Sequence, residues 1–205
     1  MVRRFVAVWP SAQARAKAAR VRLVLTDSDG VLTDGGVYYS ARGEELRRFS
    51  VRDGMGVERL RAAGIETVIV TREAAPAVEH RGSKLGIEVL TRVADKLEAV
   101  TGLIARHELT WAEVAYIGDD VNDLAVMRRA GFSACPADAE PQVLNAADIV
   151  CRRMGGHGAF REFAEIILAS RLTDADSFRA TQGERHVVAA RAASPLDPAR
   201  PPGSV

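Results

Sequence analysis

The chain has 205 residues, a length that fits one domain of ordinary size with some chain left over for tails. Apolar residues make up 47% and charged residues 27%, which excludes a wholly disordered, collagen-like or disulfide-scaffolded protein. The 28 basic and 27 acidic residues nearly cancel, so we expect no general attraction to nucleic acid or to an anionic membrane. The two cysteines and the lack of an apolar run of about 20 residues favour a cytoplasmic protein without a membrane span.

The two ends of the chain differ in composition from the middle. No acidic residue precedes Asp27, and we interpret residues 1–20 as a basic tail with a lead helix at Ala12–Arg20; an Arg-rich transit peptide is the alternative. At the other end, residues 194–203 hold four of the eight prolines. Such a segment buries too little apolar surface to offset its ordering entropy, so we predict a tail over 173–205 that is disordered toward its end.

Apolar β-branched runs alternate with amphipathic stretches over residues 21–172. The first strand is predicted at Val21–Thr26, and a β-hairpin with arms at Val37–Tyr39 and Leu46–Val51 follows it. Continuous apolar strands separated by helices predict an α/β fold with a doubly wound parallel sheet covered on both faces. The other predicted strands are Thr67–Thr71, Glu88–Leu90, Val114–Ile117, Phe132–Ala134 and Asp148–Cys151, and the predicted helices are Met55–Ala63, Ala75–Leu85, Asp95–His107, Asn122–Ala130 and Gly158–Ser170.

Polar residues follow the predicted strands at the points where the strands end. The carboxyl ends of parallel strands meet at one edge of the sheet, so we expect these side chains to converge. Carboxylates packed together repel one another, and a divalent cation removes that repulsion. Oxygen ligands without His or Cys suit Mg²⁺, which commonly bridges carboxylates to a phosphate, so the pattern predicts phosphoryl transfer. The residues concerned are Asp27, Asp29, Gly30, Thr71, Lys96, Asp119, Asp120, Asn122 and Asp123.

The first strand supplies the residues predicted to react. Asp27, at the strand tip, is the expected nucleophile and forms an aspartyl-phosphate. Asp29 is the expected general acid that protonates the departing alkoxide and then deprotonates the hydrolytic water. Gly30 leaves its backbone N–H open to phosphate oxygens.

The later strands supply the residues predicted to bind phosphate and metal. Thr71 and Lys96 are expected to bind the equatorial phosphate oxygens, where charge develops in the transition state. Asp119 is expected to complete a Mg²⁺ ligand set with Asp27 and Asp29. The residues predicted to orient these groups from behind are Asp120, Asn122 and Asp123.

These motifs resemble those of the haloacid dehalogenase superfamily of aspartate-nucleophile phosphatases. Ser50–Gly56, Asp95–Leu97 and Gly155–Glu162 are similar to signatures of its small branch that hydrolyses 3-deoxy-manno-octulosonate 8-phosphate and nonulosonate 9-phosphates. The resemblance runs from about residue 21 to residue 170. It implies a Rossmann-like fold with an inserted hairpin and no cap domain, a place in sugar-acid biosynthesis, and a homotetramer in which a neighbouring subunit covers each active site.

One position departs from the octulosonate pattern. The octulosonate enzymes usually carry Thr-Gly-Arg at the second motif, whereas this chain has Thr71-Arg72-Glu73. Glu73, with Arg81 and Lys84 on the following helix, looks like the nonulosonate 9-phosphate phosphatases and the phosphatase-like domains of acylneuraminate cytidylyltransferases. The residues expected to bind substrate are Gly30, Arg72, Glu73, Arg81 and Lys84.

Several functions fit these observations to different degrees. The leading expectation is a Mg²⁺-dependent phosphatase of a nonulosonate 9-phosphate, and the first alternative is an octulosonate 8-phosphate phosphatase. A non-catalytic phosphatase-like oligomerisation module is the alternative from another class, because the second motif has changed. Receiver domains also combine acids, Thr and Lys, but they lack an acidic Gly-Asp-Asp-x-Asn-Asp loop after the Lys. Residues 21–172 are expected to form the phosphatase domain, which binds a small sugar-acid phosphate and has neither nucleic acid nor a membrane as a partner.

Overall fold

The computed structural model describes residues 11–172, without the side chain of Glu45. In chain order the elements are α1 (Ala12–Ala19), β1 (Leu23–Thr26), β2 (Thr33–Ser40), β3 (Gly43–Phe49), α2 (Val51–Ala62), β4 (Glu66–Val70), α3 (Pro76–Leu85), β5 (Glu88–Leu90), α4 (Lys96–Arg106), β6 (Val114–Ile117), α5 (Leu124–Met127), β7 (Phe132–Cys135), α6 (Pro141–Ala146) and β8 (Ile149–Val150). Short 3₁₀ turns at Trp111–Glu113 and Val121–Asp123 precede β6 and α5, and residues 159–172 form a further helix.

The main sheet is parallel and has the strand order β5-β4-β1-β6-β7-β8. From β1 the chain winds outward through β4 and β5 on one side, and through β6, β7 and β8 on the other. The direction of winding therefore reverses at β1, and such a reversal opens a crevice at the carboxyl ends of the central strands. The predicted fold class, a doubly wound parallel α/β sheet with an inserted hairpin, is confirmed.

Both faces of the sheet are buried, which explains why its strands are continuously apolar. On β1, Val24 faces one cluster together with residues of α1, α2, α3 and the helix at 159–172. Leu23 and Leu25 face the opposite cluster, which includes residues of α4, α5 and α6. The central strand is thus held from both sides, so the loop that follows it has a rigid base.

The hairpin of β2 and β3 forms a separate two-stranded antiparallel sheet. Tyr38 pairs with Leu46, and the turn lies at residues 41–42, as predicted. The prediction was wrong at the hairpin's far end, because β3 stops at Phe49 and Val51 already begins α2. Ser50 caps that helix by accepting a hydrogen bond from the Arg52 N–H at 3.2 Å.

The early start of α2 was missed because glycines interrupt its pattern. A Cβ on Gly54 would lie 2.6 Å from an Arg81 guanidinium nitrogen, and one on Gly56 would lie 3.2 Å from the Phe160 ring. Both glycines therefore allow α2 to pack closely against its neighbours, although glycine is a weak helix former. The two glycines serve contacts between separate elements of the structure, and the local sequence pattern does not reveal such contacts.

Two further elements differ from the predictions. The helix predicted at Asn122–Ala130 is a 3₁₀ turn followed by the short α5, because the Asp123 carboxylate accepts backbone N–H groups of the preceding loop. The helix α6 was not predicted; it starts at Pro141, a favourable first helical position.

The ends of the chain are described only in part. Helix α1 lies where the lead helix was predicted, and its N-cap Ser11 accepts a hydrogen bond from the Ala14 N–H at 3.2 Å. The rest of the predicted basic tail and the proline-rich tail over 173–205 lie outside the described residues, so the proposed domain limits remain predictions. No helix within residues 11–172 has the length and apolar character needed to cross a membrane.

Candidate active site

Asp27 lies directly beyond β1, at the centre of the crevice. Its backbone N–H donates to the Ile117 carbonyl at 3.0 Å, which extends the pairing of β1 with β6 by one residue. Its side chain is buried, with 5% of the residue exposed. The Ser28 N–H donates to Asp27 Oδ1 at 2.7 Å, and Lys96 Nζ lies 2.8 Å from Asp27 Oδ2. Both carboxylate oxygens are therefore held in fixed positions.

Lys96 is the buried cation beneath this carboxylate. It is the first residue of α4, whose N-cap Asp95 accepts from the N–H groups of Leu97 and Glu98 at 2.9 and 3.0 Å. Its ammonium bonds Asp123 Oδ1 at 2.7 Å in addition to Asp27. Burial lowers the pKa of Lys96, but the two carboxylates more than offset this and leave it above its ordinary value.

Asp123 organises the loop after β6. Its Oδ1 also accepts from the Tyr116 hydroxyl at 2.6 Å, and its Oδ2 accepts from the N–H groups of Asp119 and Asp120 at 3.1 and 3.4 Å. These bonds explain why a fully buried Asp123 is tolerated. Tyr116 was not among the predicted site residues, since a tyrosine within an apolar strand has the pattern of an ordinary core residue.

A cavity of about 420 Å³ opens over these groups at the carboxyl end of the sheet. Thr71, 1% exposed, lies directly after β4; its hydroxyl accepts from the Glu73 N–H at 3.1 Å. The cavity brings together most of the predicted site residues, which come from three separate loops. Its lining residues are Asp27, Asp29, Gly30, Gly35, Thr71, Arg72, Glu73, Asp119, Asp120 and Asn122.

The carboxylates in and below the cavity form a cluster that can hold a metal ion. Oxygens of Asp27, Asp119 and Asp123 lie within 4.8 Å of one another. The pKa of Asp27 is raised to about 7, mainly by burial and secondly by the charge of Asp123. The pKa of Asp119 is raised to about 8, mainly by burial and secondly by the charge of Asp27. The cluster by itself thus disfavours its own ionised form, and a divalent cation would reverse this.

The free ligand atoms indicate which residues hold the ion. Asp119 Oδ1 is buried and has no hydrogen-bond partner among the described residues, whereas both oxygens of Asp123 are already bonded. Both oxygens of Asp27 are bonded as well, but Asp27 and Asp119 line the cavity and Asp123 does not, so Asp27 and Asp119 fit Mg²⁺ as direct ligands and Asp123 fits the orienting role predicted for it. The Asp29 side chain does not belong to the cluster, so its part in metal binding remains a prediction.

Gly30 allows the first and last loops of the site to meet. A Cβ on this residue would lie 1.9 Å from Asp119 Oδ2, and its backbone φ of +77° is the left-handed conformation that favours glycine. Any larger residue would collide with the Asp119 carboxylate and displace it. The glycine predicted to serve phosphate binding thus also sets the width of the metal site.

Asp29 faces a cation that the sequence did not predict. Its Oδ1 accepts from the Thr33 hydroxyl at 3.3 Å, and its Oδ2 forms an ion pair with Arg47 of β3. No motif marked Arg47, because only the folding of the hairpin against the β1 loop brings the two together.

Two residues predicted to bind substrate lie elsewhere. Arg81 donates to the Ser50 carbonyl at 3.0 Å and stacks over the Phe49 ring at 5.8 Å, so its guanidinium joins α3 to the end of the hairpin. Lys84 is exposed on the same helix, and neither residue lines the cavity. Within the described chain these contacts give Arg81 a structural role, and only Arg72 and Glu73 of the predicted specificity residues lie at the cavity.

Comparison with known proteins identifies the family. A family model for haloacid dehalogenase-like hydrolases matches residues 79–161. The chain is 42% identical over 159 residues to 3-deoxy-D-manno-octulosonate 8-phosphate phosphatase from Escherichia coli, which covers 77% of this chain and 85% of that protein.

Solved structures agree with this assignment. The fold matches that of 3-deoxy-D-manno-octulosonate 8-phosphate phosphatase from Yersinia pestis with a TM-score of 0.76 and 40% identity, over 78% of this chain and 87% of that one. The 3-deoxy-D-manno-octulosonate 8-phosphate phosphatase from Moraxella catarrhalis, solved in complex with a magnesium ion, a phosphate ion and a KDO molecule, matches with a TM-score of 0.76 and 35% identity, over 82% of this chain and 97% of that one. This chain therefore belongs to the haloacid dehalogenase-like hydrolases and is a phosphatase that cleaves phosphate monoesters.

Proposed function

We propose that this protein is a Mg²⁺-dependent phosphatase of 3-deoxy-D-manno-octulosonate 8-phosphate, with Asp27 as its nucleophile. The observation that carries the proposal is the 42% identity to an enzyme of that activity over 85% of its length, together with the intact convergence of Asp27, Thr71, Lys96 and Asp119. The expectation that a nonulosonate 9-phosphate is the preferred substrate gains no support from these relatives. It remains the second candidate because Glu73, the residue on which that expectation is based, lines the cavity.

In the first step an oxygen of Asp27 attacks phosphorus. The bond between phosphorus and the sugar oxygen breaks, its electron pair stays on that oxygen, and Asp29 supplies the proton. Lys96 holds Asp27 at 2.8 Å and lowers the repulsion between this carboxylate and the incoming phosphate. Thr71, buried at the end of β4, presents its side chain to the same space.

In the second step a water oxygen attacks the phosphorus of the aspartyl-phosphate. Asp29 takes the proton of the water, the bond between phosphorus and Asp27 breaks, and phosphate leaves. Asp27 and Asp119 would hold Mg²⁺, with Asp29 as the third ligand expected from the sequence, and the ion would supply positive charge that neutralises the phosphate and the carboxylates together. Asp123 keeps the loop of Asp119 in place through the Asp119 and Asp120 N–H groups, and Asp120 and Asn122 line the cavity beside it. Gly30 would offer its N–H to the phosphate in place of the Thr33 hydroxyl, to which it donates at 3.4 Å.

We also propose that the chain assembles with copies of itself as a homotetramer in the cytosol. The hairpin exposes Tyr38, Tyr39 and Leu46, which are 60%, 72% and 64% exposed, and Val51 beyond it is 82% exposed. A two-stranded hairpin is marginally stable alone, and a second copy of the chain would cover this surface. Sedimentation velocity of the full chain measures the assembly directly.

The experiment that tests the proposed reaction is phosphate release from a panel of sugar-acid phosphates, with Mg²⁺ or with EDTA. We expect release that needs Mg²⁺, with kcat/KM for the octulosonate 8-phosphate at least about 10-fold above that for nonulosonate 9-phosphates, a difference of about 1.4 kcal/mol. The variant Asp27→Asn should lower kcat at least about 1,000-fold, because an amide is a poor nucleophile.

The matched control is Glu58→Gln, which makes the same change from carboxylate to amide on the exposed side of α2 and should leave kcat unchanged. Turnover that survives Asp27→Asn would exclude Asp27 as the nucleophile. A preference for the nine-carbon substrates would favour the second candidate, and no release from any substrate would favour a non-catalytic oligomerisation module.

A further inference from the structure

The side chain of Arg47 is buried, although the residue lies on the hairpin, an element outside the main sheet. Only 2% of its side chain is exposed, whereas the next residue, Arg48, has a side chain that is 45% exposed. Burying a guanidinium is costly unless it is paired, so the surroundings of Arg47 must supply acceptors.

Carboxylates from three segments surround the guanidinium, and two of them accept its hydrogen bonds. Arg47 donates through Nε to Glu44 Oε1 at 2.7 Å and through one terminal nitrogen to Glu44 Oε2 at 3.1 Å. Its other terminal nitrogen pairs with Asp29, and Glu73 Oε2 lies 4.0 Å from the guanidinium. The two-point contact with Glu44 fixes the plane of the guanidinium and aims the remaining nitrogen at Asp29.

From this arrangement we propose that Arg47 is a positioning residue of the active site, which holds the Asp29 carboxylate at the place where it exchanges protons with substrate and water. The proposal rests on the acid–base role of Asp29 in the function proposed above. It also gives the hairpin a part in the reaction, because the position of Asp29 depends on how β3 lies against the β1 loop.

The remaining contacts of Asp29 are too weak to fix it alone. Apart from Arg47, its carboxylate accepts from the Thr33 hydroxyl at 3.3 Å, and Thr33 is itself shared with the N–H groups of Gly30 and Gly35 at 3.4 and 3.2 Å. Without Arg47, the Asp29 side chain, which is 26% exposed, would be free to change rotamer toward solvent. A displacement of about 1 Å at a reacting group can cost about 100-fold in rate.

Two substrates with different leaving groups separate this role from a structural one. A sugar-acid phosphate releases an alkoxide that needs a proton from Asp29, whereas p-nitrophenyl phosphate releases a phenolate that leaves without one. In both cases hydrolysis of the aspartyl-phosphate needs Asp29 as base. Arg47→Met should therefore lower kcat for the sugar-acid phosphate about 10- to 100-fold with KM changed less than about threefold.

With p-nitrophenyl phosphate the same variant should keep the rapid first burst of p-nitrophenol while its steady-state rate falls. Arg47→Lys, which keeps the charge but not the planar fork, should recover part of the lost kcat. The matched control is Arg48→Met, the adjacent arginine, which bonds Asp34 and the Gly156 carbonyl outside the cavity and should change kcat less than about twofold.

A rise in KM at unchanged kcat would overturn the proposal, since it would make Arg47 a direct substrate ligand. Loss of the burst together with the steady-state rate, or an equal loss in Arg48→Met, would also overturn it. Failure of the proposed function looks different, because the wild type would then hydrolyse neither substrate. In that event a double-mutant cycle in urea unfolding tests the pairing of Arg47 with Asp29. The change in urea midpoint caused by Arg47→Met should be less than half as large in the Asp29→Asn variant as in the wild type, and equal changes would refute the pairing.

Discussion

The buried ammonium of Lys96 is the part of the site whose removal has the most direct physical consequence. It lies 2.8 Å from Asp27 Oδ2 and 2.7 Å from Asp123 Oδ1, and the side chains of the three residues are 2%, 8% and 0% exposed. Lys96→Met keeps most of the apolar stem but leaves two buried carboxylates without their cation. Removing one partner of a buried ion pair typically costs about 3–5 kcal/mol, so we expect a loss of that size in the free energy of unfolding.

The loss should depend on pH in a defined direction. The pKa of Asp27 is already raised to about 7, first by burial, and Lys96 is among the groups that hold it down. At pH 5.5, below this pKa, Asp27 is largely protonated with or without Lys96, so Lys96→Met leaves mainly Asp123 uncompensated. At pH 8 the wild type has an ionised Asp27 beside Lys96, and the variant loses that pair as well. The deficit should thus be close to the full 3–5 kcal/mol at pH 8 and smaller at pH 5.5.

Urea unfolding in EDTA, at a fixed protein concentration, measures this without compensation by bound metal. Lys84→Met is the matched control, because Lys84 is exposed, and it should change stability by less than about 0.5 kcal/mol. Adding Asp123→Asn to Lys96→Met should recover part of the loss, since one of the two uncompensated carboxylates is then gone. A loss below about 1 kcal/mol at pH 8, or no recovery in the double variant, would refute the reasoning.

Two other predictions concern a glycine and a buried carboxyl group. Gly30→Ala and Gly64→Ala both place a Cβ at a positive φ, +77° and +72°, and the backbone strain should cost each variant about 1 kcal/mol. Only the Cβ at position 30 collides with Asp119, because a Cβ at position 64 would meet no neighbouring atom within 4 Å. The rise in melting temperature on adding Mg²⁺ should therefore vanish only in Gly30→Ala, and its survival there would contradict the metal site. Burial raises the pKa of Asp53 above its value in the unfolded chain, so the folded state binds the proton more tightly and the wild type loses stability as pH rises from 4 to 7. Asp53→Asn does not titrate and can still accept the hydrogen bond from the Arg161 N–H, which is 2.9 Å long in the wild type. Its urea midpoint should therefore rise relative to that of the wild type between pH 4 and pH 7, and a difference that does not change with pH would contradict this.

Much of the fold can be predicted from local patterns. The central strands are buried on both faces, so their sequences are continuously apolar, and Val114–Ile117 has the same limits in the prediction and in the structure. Gly86 ends α3 with a φ of +62°, as a glycine between a helix and a strand indicates. The ends of α2 and β3 were misplaced because Gly54 and Gly56 serve contacts between helices, which a local pattern does not contain.

Most of the candidate site was equally predictable. In a parallel sheet the carboxyl ends of the strands share one edge, so Asp27, Thr71 and Asp119 had to converge once the strands were recognised. Position along a helix was a weaker guide. Arg81 lies after the second motif at a plausible spacing, yet its guanidinium is used by the Ser50 carbonyl and the Phe49 ring.

The sequence alone determined the parallel sheet, the acidic edge of that sheet and the chemistry that such an edge performs. Each of these depends on the residues within a strand or on those directly after the strand. Only the tertiary structure decided which polar groups hold one another. Tyr116 reaches Asp123 across the base of the site, and Arg47 reaches Asp29 from a hairpin that no motif connects to it. Such pairs depend on how separate elements pack, and packing joins residues whose distance along the chain carries no signal.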